Sequence, residues 1–224
     1  MKYIKLKNKN LINEQRWDID YHLPPIEIKK YNKNILEKII NCADIITEKR
    51  NPTLSPEQSF VYVDISSIDI ITGMIVNPQE LLGVDAPSRA RKVIRAGDII
   101  ISTCRPTRGA IAIVPPELDN QICSTGFCVI RAKEQVNTEY LHFILKSAVV
   151  KEQFRKFSTG SSYPAILDSD IKKTIIPLPK REMQDMIAKD ISYQTLQRNE
   201  KIKKANTEWQ ESIKQSLSTI QSLV

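Results

Sequence analysis

The last 45 residues of the chain, 180–224, contain neither proline nor glycine, the two residues that most often interrupt a helix. A continuous helix of this length extends about 60 Å, which is more than a small domain can cover. We therefore expect part of its apolar face to pack on another helix, the alternative being a shorter helix folded back on its own domain. The apolar positions step by 3, 4, 4, 4, 3 and 4 residues through Ile202, Ala205, Trp209, Ile213, Leu217, Ile220 and Val224.

The composition is that of a folded, basic protein. Hydrophobic residues make up 41% of the 224-residue chain, and 33 Lys and Arg against 26 Asp and Glu give a net charge of +7. This balance excludes general disorder and favours a polyanionic partner. We find no apolar run that could span a membrane and no secretory signal, so we expect a cytoplasmic protein.

The four cysteines do not have the spacing of a structural zinc site, and the chain is long enough to fold without disulfides. We expect reduced, mostly buried thiols and no metal. They are Cys42, Cys104, Cys123 and Cys128.

The apolar pattern before residue 178 predicts an α+β domain. Residues 34–48 and 139–157 have helical spacing, the second with Thr138 as its N-cap, and residues 161–170 read as a loop. Between residues 60 and 131, short β-branched runs separated by turns predict five to seven strands in a mixed sheet or a partly closed barrel. We divide the chain into a domain at 1–177 and a long helix at 178–224.

Basic residues concentrate in the segment 85–108, where five of the six are arginines. A guanidinium group suits bidentate hydrogen bonding to phosphate and to guanine better than an ammonium group does. We predict that the lysines contact phosphates and that the arginines and loop hydroxyls read bases, the alternative for the arginines of this segment being solvated or intramolecular pairs. The candidates are Arg89, Arg91, Arg105 and Arg108 in this segment, and Lys151, Arg155 and Lys156 at one end of the 139–157 helix, with Lys172 and Lys173 in the following loop region.

Hydroxyl side chains in short glycine-containing turns are candidates for the same interface. The alternative is that they only cap helices and stabilise bends. These candidates are Thr107, Ser124, Thr125, Ser161 and Ser162, together with Tyr163.

The sequence lacks the common motifs of catalysis. It has no GxxxxGK[ST], GxGxxG, GxSxG or HExxH pattern, and its six glycines leave little material for a phosphate-binding loop. His22 and His142 have no nucleophile or carboxylate nearby in sequence, so we expect them to be structural. We therefore predict no catalytic residue and no cofactor, and we disfavour a nuclease or methyltransferase.

Ten short motifs follow one another along the chain in a fixed order. They are Arg16-Trp17-Asp18, Asp85-Ala86-Pro87-Ser88-Arg89-Ala90-Arg91, Gly97-Asp98-Ile99, Arg105-Pro106-Thr107-Arg108-Gly109, Ser124-Thr125-Gly126-Phe127, Glu139-Tyr140-Leu141, Gly160-Ser161-Ser162-Tyr163-Pro164, Asp170-Ile171, Ile175-Ile176-Pro177-Leu178-Pro179 and Gln184. No single motif is specific, but the ordered set, over about residues 16–200, resembles the target-recognition domain of the DNA specificity (S) subunit of type I restriction-modification systems.

The resemblance implies a recognition domain followed by a long helix that pairs with its counterpart as an antiparallel coiled coil. Full S subunits usually carry two such domains, so one domain and one helix imply either a half-subunit, which would form a homodimer and read inverted half-sites, or a separated specificity module. The helix residues implied in this contact are Ile202, Trp209, Ile213, Leu217 and Ile220.

The partners implied by the resemblance are double-stranded DNA, a modification subunit that methylates adenine with S-adenosylmethionine, and a restriction subunit. The chemistry would belong to those subunits. A second hypothesis is an assembly scaffold or regulator that docks on the modification subunit through residues 180–224 without reading DNA.

Overall fold

The computed structural model describes residues 19–221, and the side chains of residues 21–219. The predicted Arg16-Trp17-Asp18 motif and Val224 lie outside this range. The described chain is α+β, as predicted, and it does not form a closed barrel. Its helices and strands, in order, are α1 (Ile19–His22), β1 (Leu36–Lys38), α2 (Ile39–Cys42), β2 (Ala43–Ile46), β3 (Ser59–Val63), β4 (Ile68–Asp69), β5 (Met74–Ile75), β6 (Gln79–Leu82), β7 (Ala90–Ile94), β8 (Ile99–Ser102), β9 (Ile111–Ile113), β10 (Gln121–Ser124), β11 (Phe127–Ala132), α3 (Thr138–Leu145), α4 (Ala148–Phe157), α5 (Asp168–Lys173), β12 (Ile175–Pro177) and α6 (Arg181–Gln221).

Two four-stranded sheets form the centre of the domain. One has the order β6-β3-β10-β7 and is mixed, because β10 runs parallel to β3 and antiparallel to β7. The other has the order β2-β11-β8-β9 and is antiparallel throughout. Two further antiparallel pairs, β1-β12 and β4-β5, complete the described strands.

The main core lies between these two sheets. Val63 and Cys123 from the first sheet share one buried cluster with Ile100 and Phe127 from the second. Ile99, Ile100 and Ile101 are all fully buried, so β8 has apolar neighbours on both of its faces. A continuous β-branched run is what a strand buried on both faces requires.

The predicted helix at residues 34–48 is wrong. The segment contains β1, the single turn α2 and β2 instead. Ala43 of β2 pairs with Ala132, and Ile46 pairs with Val129. Backbone pairing with β11 therefore overrides the helical spacing of the apolar residues, which is a weak preference in a segment this short.

The predicted helix at 139–157 is present but divided into α3 and α4. The hydroxyl of Ser147 donates a hydrogen bond to the carbonyl of Ile144 at 2.6 Å, which favours a break at this point. The N-cap of α3 is Asn137 rather than Thr138, because the Asn137 side chain accepts a hydrogen bond from a backbone N–H of the first turn.

Residues 161–170 are a loop only in part. Helix α5 begins at Asp168, where the carboxylate of Asp170 accepts a hydrogen bond from the backbone N–H of Leu167 at 2.9 Å. Lys172 and Lys173 therefore lie in a helix, and the prediction that they follow in a loop region is corrected.

Asp98 connects the two central sheets through its side chain. It is fully buried at the turn between β7 and β8, and its carboxylate accepts hydrogen bonds from Arg131 Nε at 2.7 Å and Nη2 at 3.0 Å. The backbone N–H of Arg95 donates to the same carboxylate at 2.9 Å. A charge without solvent contact is thus compensated by a bidentate arginine on β11.

Helix α6 is continuous over 41 residues, so the alternative of a shorter helix is wrong. The described residues divide into two compact units, one ending at Gln184 and the other beginning at Asp185. In the second unit, the predicted contact residues Ile202, Trp209, Ile213 and Leu217 are exposed, and the side chain of Ile220 lies outside the described range. Between residues 19 and 221, none of the helices could cross a membrane.

Candidate nucleic-acid interface

Four loops of the recognition domain are joined side by side by backbone hydrogen bonds. The N–H of Thr125 donates to the carbonyl of Arg89 at 2.9 Å, and the N–H of Thr103 donates to the carbonyl of Gly126 at 2.9 Å. The N–H of Ile166 then donates to the carbonyl of Thr103 at 3.0 Å. This chain of bonds brings segments more than seventy residues apart into one continuous surface. We call it the loop surface, and it comprises Arg89, 103–109, 124–126 and 159–166.

The tightest part of the loop surface is the turn that carries the Arg-Pro-Thr-Arg-Gly motif. Arg105 has a left-handed backbone with φ of 48°, and Gly109 closes the turn with φ of 78°. A left-handed conformation at a non-glycine residue costs about 1–2 kcal/mol, so the surrounding contacts must hold it. One such contact is the N–H of Arg105, which donates to the carbonyl of Pro164 at 2.7 Å.

The side chain of Arg105 lies against the neighbouring loop. Its guanidinium carbon is 4.7 Å from the centre of the Tyr163 ring, and Nη2 donates to the carbonyl of Ser162 at 3.4 Å. Tyr163 is itself 78% exposed. A cation held over an aromatic face keeps its charge and most of its donors while losing conformational freedom, which suits it to bind an anionic or base-edge acceptor.

Helix α4 places Lys151 beside the same turn. A Cβ added at Gly109 would lie 3.2 Å from Cε of Lys151, so the lysine stem crosses the turn where glycine leaves space. Arg155 is exposed one helical turn later, on the same face of α4. Helix α4 therefore places one cation, Lys151, beside the Arg105–Gly109 turn and a second, Arg155, in solvent on the same helix face.

The loop surface brings together most of the predicted contact residues. Of these, Arg105 is partly exposed and the others are exposed to solvent. They are Arg89, Arg105, Thr107, Arg108, Thr125, Ser161, Ser162 and Tyr163.

Three predicted contact residues, Arg91, Ser124 and Lys156, are engaged inside the domain instead. Arg91 is half-buried and its Nη1 donates to the carbonyls of Ala90 at 2.7 Å and Pro87 at 3.3 Å, so it forms the intramolecular pairs that were the alternative.

Ser124 is buried and accepts a hydrogen bond from the N–H of Gly126 at 3.2 Å, so its hydroxyl stabilises a bend. Lys156 is buried and donates to the carbonyl of Leu23 at 2.7 Å. The two side chains are therefore removed from the candidate interface.

Cys104 is an exposed residue of the loop surface that the sequence did not distinguish from the other cysteines. Cys42, Cys123 and Cys128 are buried, whereas Cys104 is exposed on the loop surface next to Arg105. Burial raises the pKa of the Cys42 thiol to about 11 and that of Cys123 to about 12. Burial, together with the neighbouring Asp168 carboxylate, also raises the pKa of Cys128. The sequence feature that could have indicated the exposure of Cys104 is its position shortly after a predicted strand and before Arg105-Pro106.

In residues 19–221 we find no group of three His, Cys, Asp or Glu side chains that could hold a metal ion. His142, inside α3, is close to the carbonyl of Ile111, with its Nε2 at 3.0 Å, and burial lowers its pKa to about 4. A neutral imidazole with a backbone partner has a structural role.

The family described as the type I restriction modification DNA specificity domain matches residues 75–208, which is more than half of the chain and includes the whole loop surface. The chain belongs to this family. Two curated specificity subunits are similar to it. The HindI subunit of Haemophilus influenzae is 30% identical over 128 residues, which are 56% of this chain and 28% of that protein. The MjaIX subunit of Methanocaldococcus jannaschii is 36% identical over 95 residues, or 42% and 21%.

Solved structures agree with this assignment to the specificity domain family. The HsdS subunit of Thermoanaerobacter tengcongensis is 44% identical, with a TM-score of 0.67 over 79% of this chain and 45% of that one. A chain from a structure described as the basis of complex assembly and conformational transition of the type I R-M system has the same identity and coverage and a TM-score of 0.68. The present chain thus spans less than half the length of these relatives and contains one recognition domain.

Proposed function

We propose that this chain is the sequence-specific DNA recognition component of a type I restriction-modification system and has no catalytic activity of its own. It directs a partner adenine methyltransferase and a partner restriction subunit to the DNA sequence that its loops read. The observation that carries the proposal is the loop surface, where the partly exposed Arg105 and exposed hydroxyls and arginines converge from four segments.

Recognition divides between the two kinds of basic residue. Arg105 and Arg108 read base edges, because a planar guanidinium can donate two parallel hydrogen bonds to O6 and N7 of guanine. Lys151 and Arg155 contact phosphates and position the domain on the duplex, since contacts to the backbone add affinity without sequence preference.

Helix α6 provides the spacing between two recognition domains. Its exposed apolar residues Ile202, Trp209, Ile213 and Leu217 pack on the same face of a second copy in an antiparallel coiled coil. A two-fold axis relates the copies, so the homodimer reads two identical half-sites in inverted orientation.

DNA binding can be measured through the chain's own exposed thiol. We expect duplex DNA to slow the reaction of Cys104 with a maleimide, because Cys104 lies next to Arg105. Titrations of this protection at increasing salt should give a log-log slope of about −5, the value for about six neutralised phosphates.

The control is Cys104→Ser, which should remain unlabelled in the native protein because its other thiols are buried. Labelling of wild-type Cys104 that is independent of DNA at 50 mM salt, even at high duplex concentration, would contradict DNA recognition by this surface. Co-purification with the methyltransferase subunit in that case would favour the scaffold hypothesis.

The dimer can be tested with two substitutions of equal charge on α6. Ile213→Lys should raise the dimer dissociation constant at least about 100-fold, because each copy loses the burial of one isoleucine and gains a charge. Gln215→Lys, two residues further along the helix, should change it little. Sedimentation equilibrium measures both, and a wild-type chain that stays monomeric at 100 µM would contradict the homodimer.

A further inference from the structure

The hairpin β4-β5 presents apolar side chains to solvent at its tip. Ile70 is 51% exposed, Ile71 68% and Met74 53%. None of these residues belongs to the core between the central sheets or to the loop surface. Neighbouring exposed apolar side chains of this kind are a feature of contact sites.

The tip is held in a single conformation by Asp69. One carboxylate oxygen accepts a hydrogen bond from the N–H of Ile71 at 2.9 Å, and the other accepts one from the hydroxyl of Thr72 at 2.7 Å. The N–H of Gly73 donates to the Asp69 carbonyl at 2.7 Å. The hydrogen bond from Thr72 is the main cause that lowers the pKa of Asp69. The acid is therefore engaged inside the turn, while the isoleucines point outward.

The hairpin is also fixed against helix α3. The ammonium of Lys146 donates to the carbonyl of Ile71 at 3.0 Å. A Cβ at Gly73 would lie 2.5 Å from Nε2 of His142, so the turn approaches α3 more closely than any residue but glycine allows. The two-stranded ribbon is thus held against a base formed by His142 and Lys146.

Positive charge runs from this base to the loop surface. Burial is the main cause that lowers the pKa of Lys146; the nearby Asp69 carboxylate raises this pKa and the charge of Lys151 lowers it. Lys151 in turn lies against Gly109, at the end of the turn that begins with Arg105. Lys146 and Lys151 therefore lie between the apolar tip of the hairpin and the Arg105–Gly109 turn. In this arrangement the tip could make an apolar contact to DNA while the two lysines contact the flanking phosphates.

We propose that the β4-β5 hairpin is a second DNA-reading element, in which Ile71 and Met74 contact the methyl group of a thymine in the major groove. The major groove is wide enough for a two-stranded ribbon, and the thymine methyl is its apolar feature. The charge around the tip favours DNA over a protein partner. The inference rests on the proposed function, because the loop surface must first hold the duplex.

The test combines a protein change with a DNA change. The site is first selected from random duplexes with the wild-type chain, and each thymidine is then replaced by deoxyuridine, which lacks the methyl group. At one position we expect wild-type binding to weaken about fourfold, the effect of burying one methyl group. The variant Ile71→Ser/Met74→Ser should bind the two duplexes equally.

Leu54→Ser is the matched control, because Leu54 is 80% exposed in a different segment that packs against Gly83. It should keep the wild-type response to deoxyuridine. The buried thiols Cys123 and Cys128 should stay unreactive in every variant, which verifies folding.

The outcomes separate the two proposals. A wild-type response to deoxyuridine that persists in the Ile71→Ser/Met74→Ser variant, or that is absent at every thymine, would overturn the hairpin contact while DNA recognition stands. Weaker binding of the methyltransferase subunit by this variant, with unchanged DNA binding, would identify the tip as a protein-docking face. No DNA binding by the wild-type chain would overturn both proposals.

Discussion

Replacing Arg105 and Arg108 together by glutamine is expected to weaken binding to the selected DNA site about 100-fold, because each guanidinium contact to a base contributes about 1–3 kcal/mol. Glutamine keeps much of the side-chain length and a hydrogen-bond donor but removes the charge and the bidentate fork. The turn itself should persist, since it is held by the backbone hydrogen bond from Arg105 to Pro164 and by the left-handed Gly109.

Arg95→Gln is the control for this pair. It removes one positive charge from the same basic segment, half of what the double variant removes, but Arg95 is already paired with Glu48 at 3.1 Å. We expect its effect on DNA affinity to stay below about threefold, the size of an exposed ion-pair contribution. Selection from random duplexes adds a second readout, in which Arg105→Gln/Arg108→Gln should lose preference at guanine positions while Arg95→Gln keeps it.

If the loss of affinity per removed charge were the same for the double variant, which removes two charges, and for Arg95→Gln, which removes one, net charge rather than readout by this turn would determine binding. Retention of both affinity and sequence preference by the double variant would remove the turn from the interface. The two results are distinct, because the first lowers the salt dependence of binding and the second leaves both the salt dependence and the base choice unchanged.

The strands that could be predicted from the sequence are those with a continuous apolar run, because such a run indicates burial on both faces. Ile99–Ile101 and Phe127–Ile130 are continuous apolar runs because each of these strands is covered on both faces. The helix predicted at residues 34–48 failed for the complementary reason. Ile39 and Cys42 are buried at helical spacing in a single turn, but Ala43–Ile46 then pairs with β11. Pairing with a strand almost ninety residues away leaves no trace in a local pattern.

The candidate interface could be predicted as a set of segments but not residue by residue. Ser124 and Thr125 are adjacent in sequence, yet the first is buried under its own turn and the second is exposed. Lys156 is one residue after Arg155 on α4, and the helical rotation of about 100° per residue buries its side chain while Arg155 remains exposed. Both distinctions depend on which face the tertiary fold covers.

Asp98→Ala is expected to lower the free energy of unfolding of the recognition domain by about 2 kcal/mol, the size of a lost hydrogen bond to a charged group, because the remaining Arg131 side chain is 47% exposed and water can solvate its charge. The Arg131 guanidinium would lose its bidentate acceptor, and the N–H of Arg95 would lose its only carboxylate contact at the β7-β8 turn. That turn joins the two central sheets, so the whole core should unfold at lower denaturant concentration.

Asp44→Ala is the matched control, because Asp44 also pairs with a basic residue, Lys133 at 3.8 Å, but its side chain is 70% exposed. Such a pair contributes less than about 1 kcal/mol. Reactivity of the buried thiols Cys123 and Cys128 during urea unfolding, with Cys104 blocked beforehand, measures both variants in the domain itself rather than in α6. A loss below about 1 kcal/mol for Asp98→Ala, equal to that of Asp44→Ala, would show that the two sheets are held together by their apolar core without this ion pair.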